Sequence, residues 1–480
     1  MRSSVPACRL LTGLLAMLWT LTAVAGTDLP DMGDPSATAI TPHQERELGQ
    51  EFMRQARQQL PIMDDPLLNE YLNSLGARLV SNSDDAGQPF TFFLIDDPVI
   101  NAFAVPGGFI GVDSGLLLTT QSESELASVL SHEIAHITQH HMARGLADAR
   151  RLSIPTAAAL LAAILLATQN PEMGTAAIAA SQAGAIQHQI NFTRADEEEA
   201  DRIGIGILAR SGFDPSAMGD FFRRLAQATR YQGPQLPPFL LDHPVTVDRI
   251  ADARARAAQY PPHRYRNRLV YYLARARLEA LVSQDPWETA RRFRRRIAAG
   301  QYEMAEAAHY GHAIALQRAG HYDAAVRELD ALLREDPDRV ELLMAKGKTQ
   351  LAGDHTQAAL KTYAYAARLY PDYYPLTIEY GNALLQGGQA RQARDLLLAY
   401  LRNGQPDPML YSLLARAANQ GGFISESHEF QAQFYYLNGQ VQPAIQQLGQ
   451  ALEAATGPFQ IQRIQARLVQ LKQEAKDKKR

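Results

Sequence analysis

The sequence predicts a mostly α-helical protein in two parts. A mixed α+β domain with a small β-sheet comes first, and an α-solenoid of paired helices follows. Three observations carry this. Short apolar alternating runs cluster only between residues 90 and 112. Helical periodicity dominates on both sides of them. Finally, Ala325, Ala359 and Ala393 recur 34 residues apart in the second half. A chain of 480 residues exceeds what a single core organises, which agrees with more than one domain.

The first 25 residues read as a cleaved export signal. Arg2 and Arg9 form a basic start, "LLTGLLAMLWTLTAVA" an apolar stretch, and Ala23-Val24-Ala25 a small-residue cleavage site. Its removal takes the net charge from −4 to −6, which gives no electrostatic case for nucleic-acid binding. Cys8, the only cysteine, leaves with the signal. The mature chain then has no disulfide and no thiolate, so a metal must be held by histidine and carboxylate. Export without an anchor predicts a periplasmic protein with no transmembrane helix in its mature chain.

Residues 42–80 read as two helices. "FTFFLI" (90–95), "NAFAV" (101–105) and "FIGV" (109–112) read as strands, with "PGG" (106–108) turning between the last two. Ser122 and Glu125 then open a helix of about six turns, with Leu126, Val129, Leu130 and Ile134 at helical spacing. Residues 154–167 form an apolar run of about 14, short of the roughly 20 a bilayer needs, and are expected to be a buried helix. Small-residue and acidic helices are expected at 174–192 and 192–212, an irregular loop at 233–244, and a helix at 246–259. "YPPHRYR" (260–266) marks the domain boundary. The division is therefore 26–262 for the first domain and 263–480 for the repeats with their charged tail. Pro337, Pro371 and Pro406 close helices at nearly the period of the alanines, which is that of tetratricopeptide repeats.

The chemistry lies in the helix after Ser122. His132, Glu133 and His136 read H-E-x-x-H. At i and i+4 the two imidazoles share one helical face and reach one tetrahedral zinc. Glu133 lies beside them as a general base for an attacking water. A third histidine six residues beyond His136 is ruled out, because position 142 is Met. The remaining donors are carboxylates on a later helix. In "EEEAD", Glu197 can ligate the metal and Asp201 can accept a hydrogen bond from a ligating histidine. Glu198 and Glu199 are expected to be solvated. His140 is about 12 Å along a helix axis from His132, so His140 and His141 are expected to be surface or packing residues.

The set "NAFAVPGGFIGVDSGLL", "SESELASVLSHEIAH", "TRADEEEADRIG" and "HPVTVDRI" resembles the M48 metallopeptidases. With the signal and the repeats, it is similar to the periplasmic branch of that family that enhances β-barrel assembly. The resemblance implies a gluzincin-type domain and one zinc per chain, with His132, His136 and Glu197 as ligands and Glu133 as base. It also implies quality control of outer-membrane proteins: unfolded or stalled ones as substrates, and the assembly machinery docked through the repeats. A chaperone or adaptor whose protease is normally restrained is the rival. His243, before Pro244, has two roles open. It could donate to the oxyanion of the tetrahedral intermediate. Alternatively, it could fill the fourth zinc position from a mobile loop acting as a lid. The lid is preferred, since an unrestrained protease among unfolded clients is harmful.

Overall fold

The computed structural model describes residues 41–142, 154, 157–158, 193–232, 237–261, 265–404 and 407–477. The expected signal, most of the apolar run 154–167 and the segment 174–192 lie outside the described residues.

Two helices open the fold, α1 (Pro42–Gln59) and α2 (Pro66–Val80). Thr41 starts α1 with a reciprocal cap to Gln44, and Asp65 caps α2 at Leu68 N. Strands β1 (Thr91–Ile95), β2 (Ala102–Val105) and β3 (Phe109–Asp113) follow, close to the predicted runs. They form one sheet in the order β1-β3-β2. β1 pairs parallel to β3 and β2 pairs antiparallel to it, which leaves β2 at an edge of the sheet among the described residues. The β2–β3 turn needs left-handed backbone at Gly107 and Gly108, with φ of 83° and 89°.

α3 (Ser114–Thr119) leads to α4 (Glu123–Thr138), which lies along β2. Ser122 caps α4 by accepting from Glu125 N. The helix runs 16 residues, about four and a half turns, and not the six expected. It ends because His140 adopts a left-handed φ of 52°. α5 (Arg194–Arg210) crosses α4, and α6 (Ala217–Gln232), a short α7 (Pro238–Asp242) and α8 (Val247–Ala257) complete this part.

Helical hairpins follow: α9 (Leu269–Val282) with α10 (Pro286–Ala298), α11 (Ala305–Arg318) with α12 (Tyr322–Glu335), α13 (Val340–Ala352) with α14 (Thr356–Leu369), α15 (Tyr374–Gln386) with α16 (Ala390–Leu401), α17 (Pro408–Gly421) with α18 (Ile424–Leu437), and α19 (Val441–Ala454) with α20 (Pro458–Asp477). Ala325, Ala359 and Ala393 are all fully buried where helices touch. Among the described residues no helix is long and apolar enough to cross a membrane.

The repeats bind back onto the first part. Tyr271, Ala274 and Leu278 of α9 share the core that surrounds the sheet and α4. Arg277 grips Asp65 through two bonds of 2.9 and 2.7 Å, both side chains buried. Arg268 pairs with Glu123 at 2.7 Å, at the start of α4. Much later in the chain, Arg57 donates to Leu437 O and Gln58 to Asn438 O.

Candidate metal centre

α4 presents His132, Glu133 and His136 to the interior, all within 2% of full burial. α5 brings Glu197 and Asp201, one turn apart, against them. The close crossing depends on Gly204: a Cβ there would lie 3.2 Å from the backbone nitrogen of His132. His243 arrives from a third place, just after α7, with the non-helical backbone expected before proline.

The donor atoms of His132, His136, Glu197 and His243 all lie within 4.8 Å of one another. His132 Nε2 and His136 Nε2 are 3.0 Å apart. Glu197 Oε1 is 3.4 Å from His136 Nε2 and 2.8 Å from His243 Nδ1. Asp201 Oδ1 is 3.0 Å from His132 Nδ1, on the side of the ring away from the cluster. Glu133 stands apart: neither of its oxygens has a hydrogen-bond partner, and the nearest imidazole nitrogen, His243 Nε2, is 3.6 Å away.

Burial pushes the His132 ring down, but Asp201 and Glu197 outweigh it and lift it to about 10. Burial holds His136 well below its ordinary value. Burial alone would raise Glu197, yet His243, His132 and His136 bring it well below the usual carboxylate range. Burial raises Glu133, which suits a base that must hold a proton transiently. A buried unpaired carboxylate beside converging imidazoles is costly. A dication among these donors would compensate that cost, and imidazole with carboxylate is a donor set suited to zinc. The residues present therefore fit a metal.

The geometry also shows what the sequence concealed. Arg249, on α8, donates to both oxygens of Asp201 at 2.7 and 2.8 Å and lies 2.7 Å from Glu197 Oε2. It also donates to Pro244 O, beside His243. One guanidinium thus ties α5 to the His243 loop. Sequence reasoning quoted this arginine without giving it a role, because nothing in its spacing aims it at a carboxylate on α5. His140 is partly exposed, 3.4 Å from Glu45. His141 is 3% exposed and is not a surface residue; it packs against His136. Glu198 is exposed, whereas Glu199 reaches His141 at 3.3 Å.

Comparison with known proteins agrees with this centre. The family model described as "Peptidase family M48" matches residues 66–257, which span α2 to α8. A Vibrio cholerae chain is 40% identical over 459 residues, 94% of each chain. The chain belongs to peptidase family M48. It is a metallopeptidase, a hydrolase of peptide bonds. Another M48 relative, the Beta-barrel assembly-enhancing protease of Escherichia coli K12, is 37% identical over 446 residues, covering 93% of this chain and 91% of the relative. The Mitochondrial metalloendopeptidase OMA1 of Schizosaccharomyces pombe is 31% identical over 187 residues, 38% of this chain and 50% of its own. The description "Tetratricopeptide repeat" matches residues 350–417, so the repeats accompany the M48 domain.

Proposed function

We propose that this chain is a zinc endopeptidase of the periplasm that cleaves unfolded or stalled outer-membrane proteins, with His132, His136 and Glu197 holding one zinc. The observation that carries this is the convergence of the His132, His136 and Glu197 donor atoms on one another, beside an unpaired, buried Glu133. Zinc bound there would supply a Lewis acid and lower the pKa of water. Glu133 takes the proton of the attacking water and passes it to the leaving amine. Asp201 fixes the orientation of His132, and Arg249 holds Asp201 in place. β2 is an edge strand along α4, so an extended substrate can add to it and lie across the site. Unfolded β-strands suit that mode, and the relatives named for β-barrel assembly support this choice of client.

In this reading the peptidase unit spans 26–262 and the repeat unit 263–480, which docks the outer-membrane assembly machinery. Family matches at 66–257 and 350–417 support the division. A cleaved export signal over 1–25, as the sequence there is read, would account for export.

A second reading, a chaperone or adaptor whose protease is restrained, rests on His243. Its ring lies in the donor cluster, where it can act as a fourth ligand and keep out water. Phe239 N, on α7, donates to Ile100 O just before β2, so the same loop hangs on the edge where substrate would add. Displacing it would free both the strand and the metal.

Two measurements test these readings on purified mature protein. Glu197→Ala should lose most of its zinc by metal analysis; full retention would place the third ligand elsewhere. His243→Ala should cleave casein faster than wild type with zinc retained. A rate about a hundredfold lower would instead make His243 an oxyanion donor.

A further inference from the structure

His141 lies five residues beyond His136. Had α4 continued, His141 would sit further along the axis, turned from the centre. Instead α4 ends at Thr138, His140 takes a left-handed φ of 52°, and the ring of His141 lies against that of His136. Its ring meets that of His136 edge-on, with centroids 4.9 Å apart and planes at 81°. Nδ1 of one ring is 2.9 Å from Nδ1 of the other. His141 Nε2 is 3.3 Å from Glu199 Oε2 and 3.8 Å from Asp196 Oδ1.

Two ring nitrogens at 2.9 Å must be one donor and one acceptor, and the distance alone leaves the order open. The other nitrogen of His136 settles it. His136 Nε2 faces His132 Nε2 at 3.0 Å and Glu197 Oε1 at 3.4 Å, within the donor cluster. A ligand offers its lone pair to the metal, so the ring proton of His136 resides on Nδ1. His136 Nδ1–H then donates, and His141 Nδ1 accepts. The proton of His141 is accordingly on Nε2, the nitrogen that faces Glu199. Every link has the same sense: Glu199 accepts from His141, His141 accepts from His136, and His136 keeps its Nε2 lone pair for the metal.

We infer that His141 is a positioning residue of the metal centre: it holds His136 in the Nδ1–H tautomer and fixes its ring, with Glu199 orienting His141 in turn. This rests on His136 being a ligand. His132 is held in the same way by a different pair, Asp201 backed by Arg249. Each histidine on α4 thus has its own orienting partner. Partners of this kind are worth about tenfold to a hundredfold in metal affinity.

The test uses the whole mature protein. Zinc affinity is measured by competition with a chelator, and the ring tautomers are read from nitrogen–proton NMR spectra of the zinc-loaded protein. His141→Ala should weaken zinc binding about tenfold to a hundredfold. His141→Asn, whose side-chain oxygen falls near the position of Nδ1, should restore most of that loss. The spectrum should show His136 protonated on Nδ1 and His141 on Nε2, and His141→Ala should disturb the His136 signal alone among the α4 ligands. His140→Asn, at a backbone conformation that asparagine tolerates, should change neither reading. Unchanged affinity in His141→Ala, or a His141 proton found on Nδ1, overturns the inference. His136→Ala separates the two ideas: if it keeps full zinc affinity, the ligand assignment itself has failed. If His136→Ala loses zinc while His141→Ala does not, only the role of His141 has failed. Should His141→Ala not fold, the tautomers in wild type and the affinity of His141→Asn decide the matter.

Discussion

Helix α4 buries His132, Glu133 and His136, whereas α12, α14 and α16 bury Ala325, Ala359 and Ala393 to the same depth. Within its apolar core the peptidase part thus also buries a cluster of ionisable groups, whereas at these positions the repeats bury small residues that allow close approach. Buried charge is stable only while each group keeps its partners, and those partners come from α4, α5, α8 and the His243 loop. Small apolar contacts join neighbouring hairpins, and each adds a modest, local contribution. A single side chain can thus disable the first part, while the second should fail gradually.

The largest effect is expected for Glu133→Gln. It removes the base and leaves the donors, so cleavage of casein should fall by about 10²- to 10⁴-fold, with zinc content kept. Because the carboxylate it replaces is buried and unpaired, the melting temperature should not fall. Cleavage at the wild-type rate would reject Glu133 as the base.

Arg249→Met should cost about 3–5 kcal/mol in denaturant unfolding, since it removes the buried guanidinium that pairs with Asp201 and Glu197 and leaves them to the histidines alone. A loss of under 1 kcal/mol would show that these carboxylates are compensated by something else.

Asp65→Asn probes the contact between the halves. Burial alone would raise the Asp65 carboxyl, but Arg277 outweighs burial and holds it below its ordinary value. A depressed folded pKa contributes stability that is present above the unfolded value of about 3.9 and lost as pH falls through the folded one. The variant should therefore be less stable than wild type at pH 7. The difference should narrow once the pH drops below about 4, as seen in melting temperatures across pH. A difference independent of pH would assign the effect to packing.

Gly347→Ala, in the repeats, should have the smallest effect. Its Cβ would come within 2.7 Å of the Tyr363 ring, a clash between α13 and α14. About 1–3 kcal/mol is expected, with zinc affinity unchanged. A change in zinc affinity would mean that the two parts are not as separate in kind as their interiors suggest.

The same contrast explains what the sequence disclosed. The 34-residue recurrence of alanine exposed the repeats, because each hairpin meets its neighbour in the same way. His132, Glu133 and His136 were legible as a group, since a helix converts a spacing of four into a shared face. Glu197 and Asp201 were legible by the same rule. His141 was expected as a surface or packing residue and is a packing one, but its contact with His136 was not legible, because α4 stops at Thr138 and no spacing along a helix leads to it. Arg249 was missed because its reach crosses from α8 to α5, a relation that no local pattern records. The length of α4 was overestimated for want of any glycine or proline to announce its end; a histidine in left-handed backbone ends it instead.

The links between α1 and the loop after α18 have a mechanical consequence. Arg57 and Gln58 hold residues 437 and 438, while Asp65 and Glu123 hold Arg277 and Arg268. The solenoid is therefore pinned near both ends to the same body, and the polypeptide closes into a loop secured by non-covalent latches. Cutting the backbone at 262–264 would open one covalent joint and leave every latch fastened. The nicked molecule should run as two bands on a denaturing gel and elute as one particle from a sizing column. A tether attached to either unit would then carry the other with it.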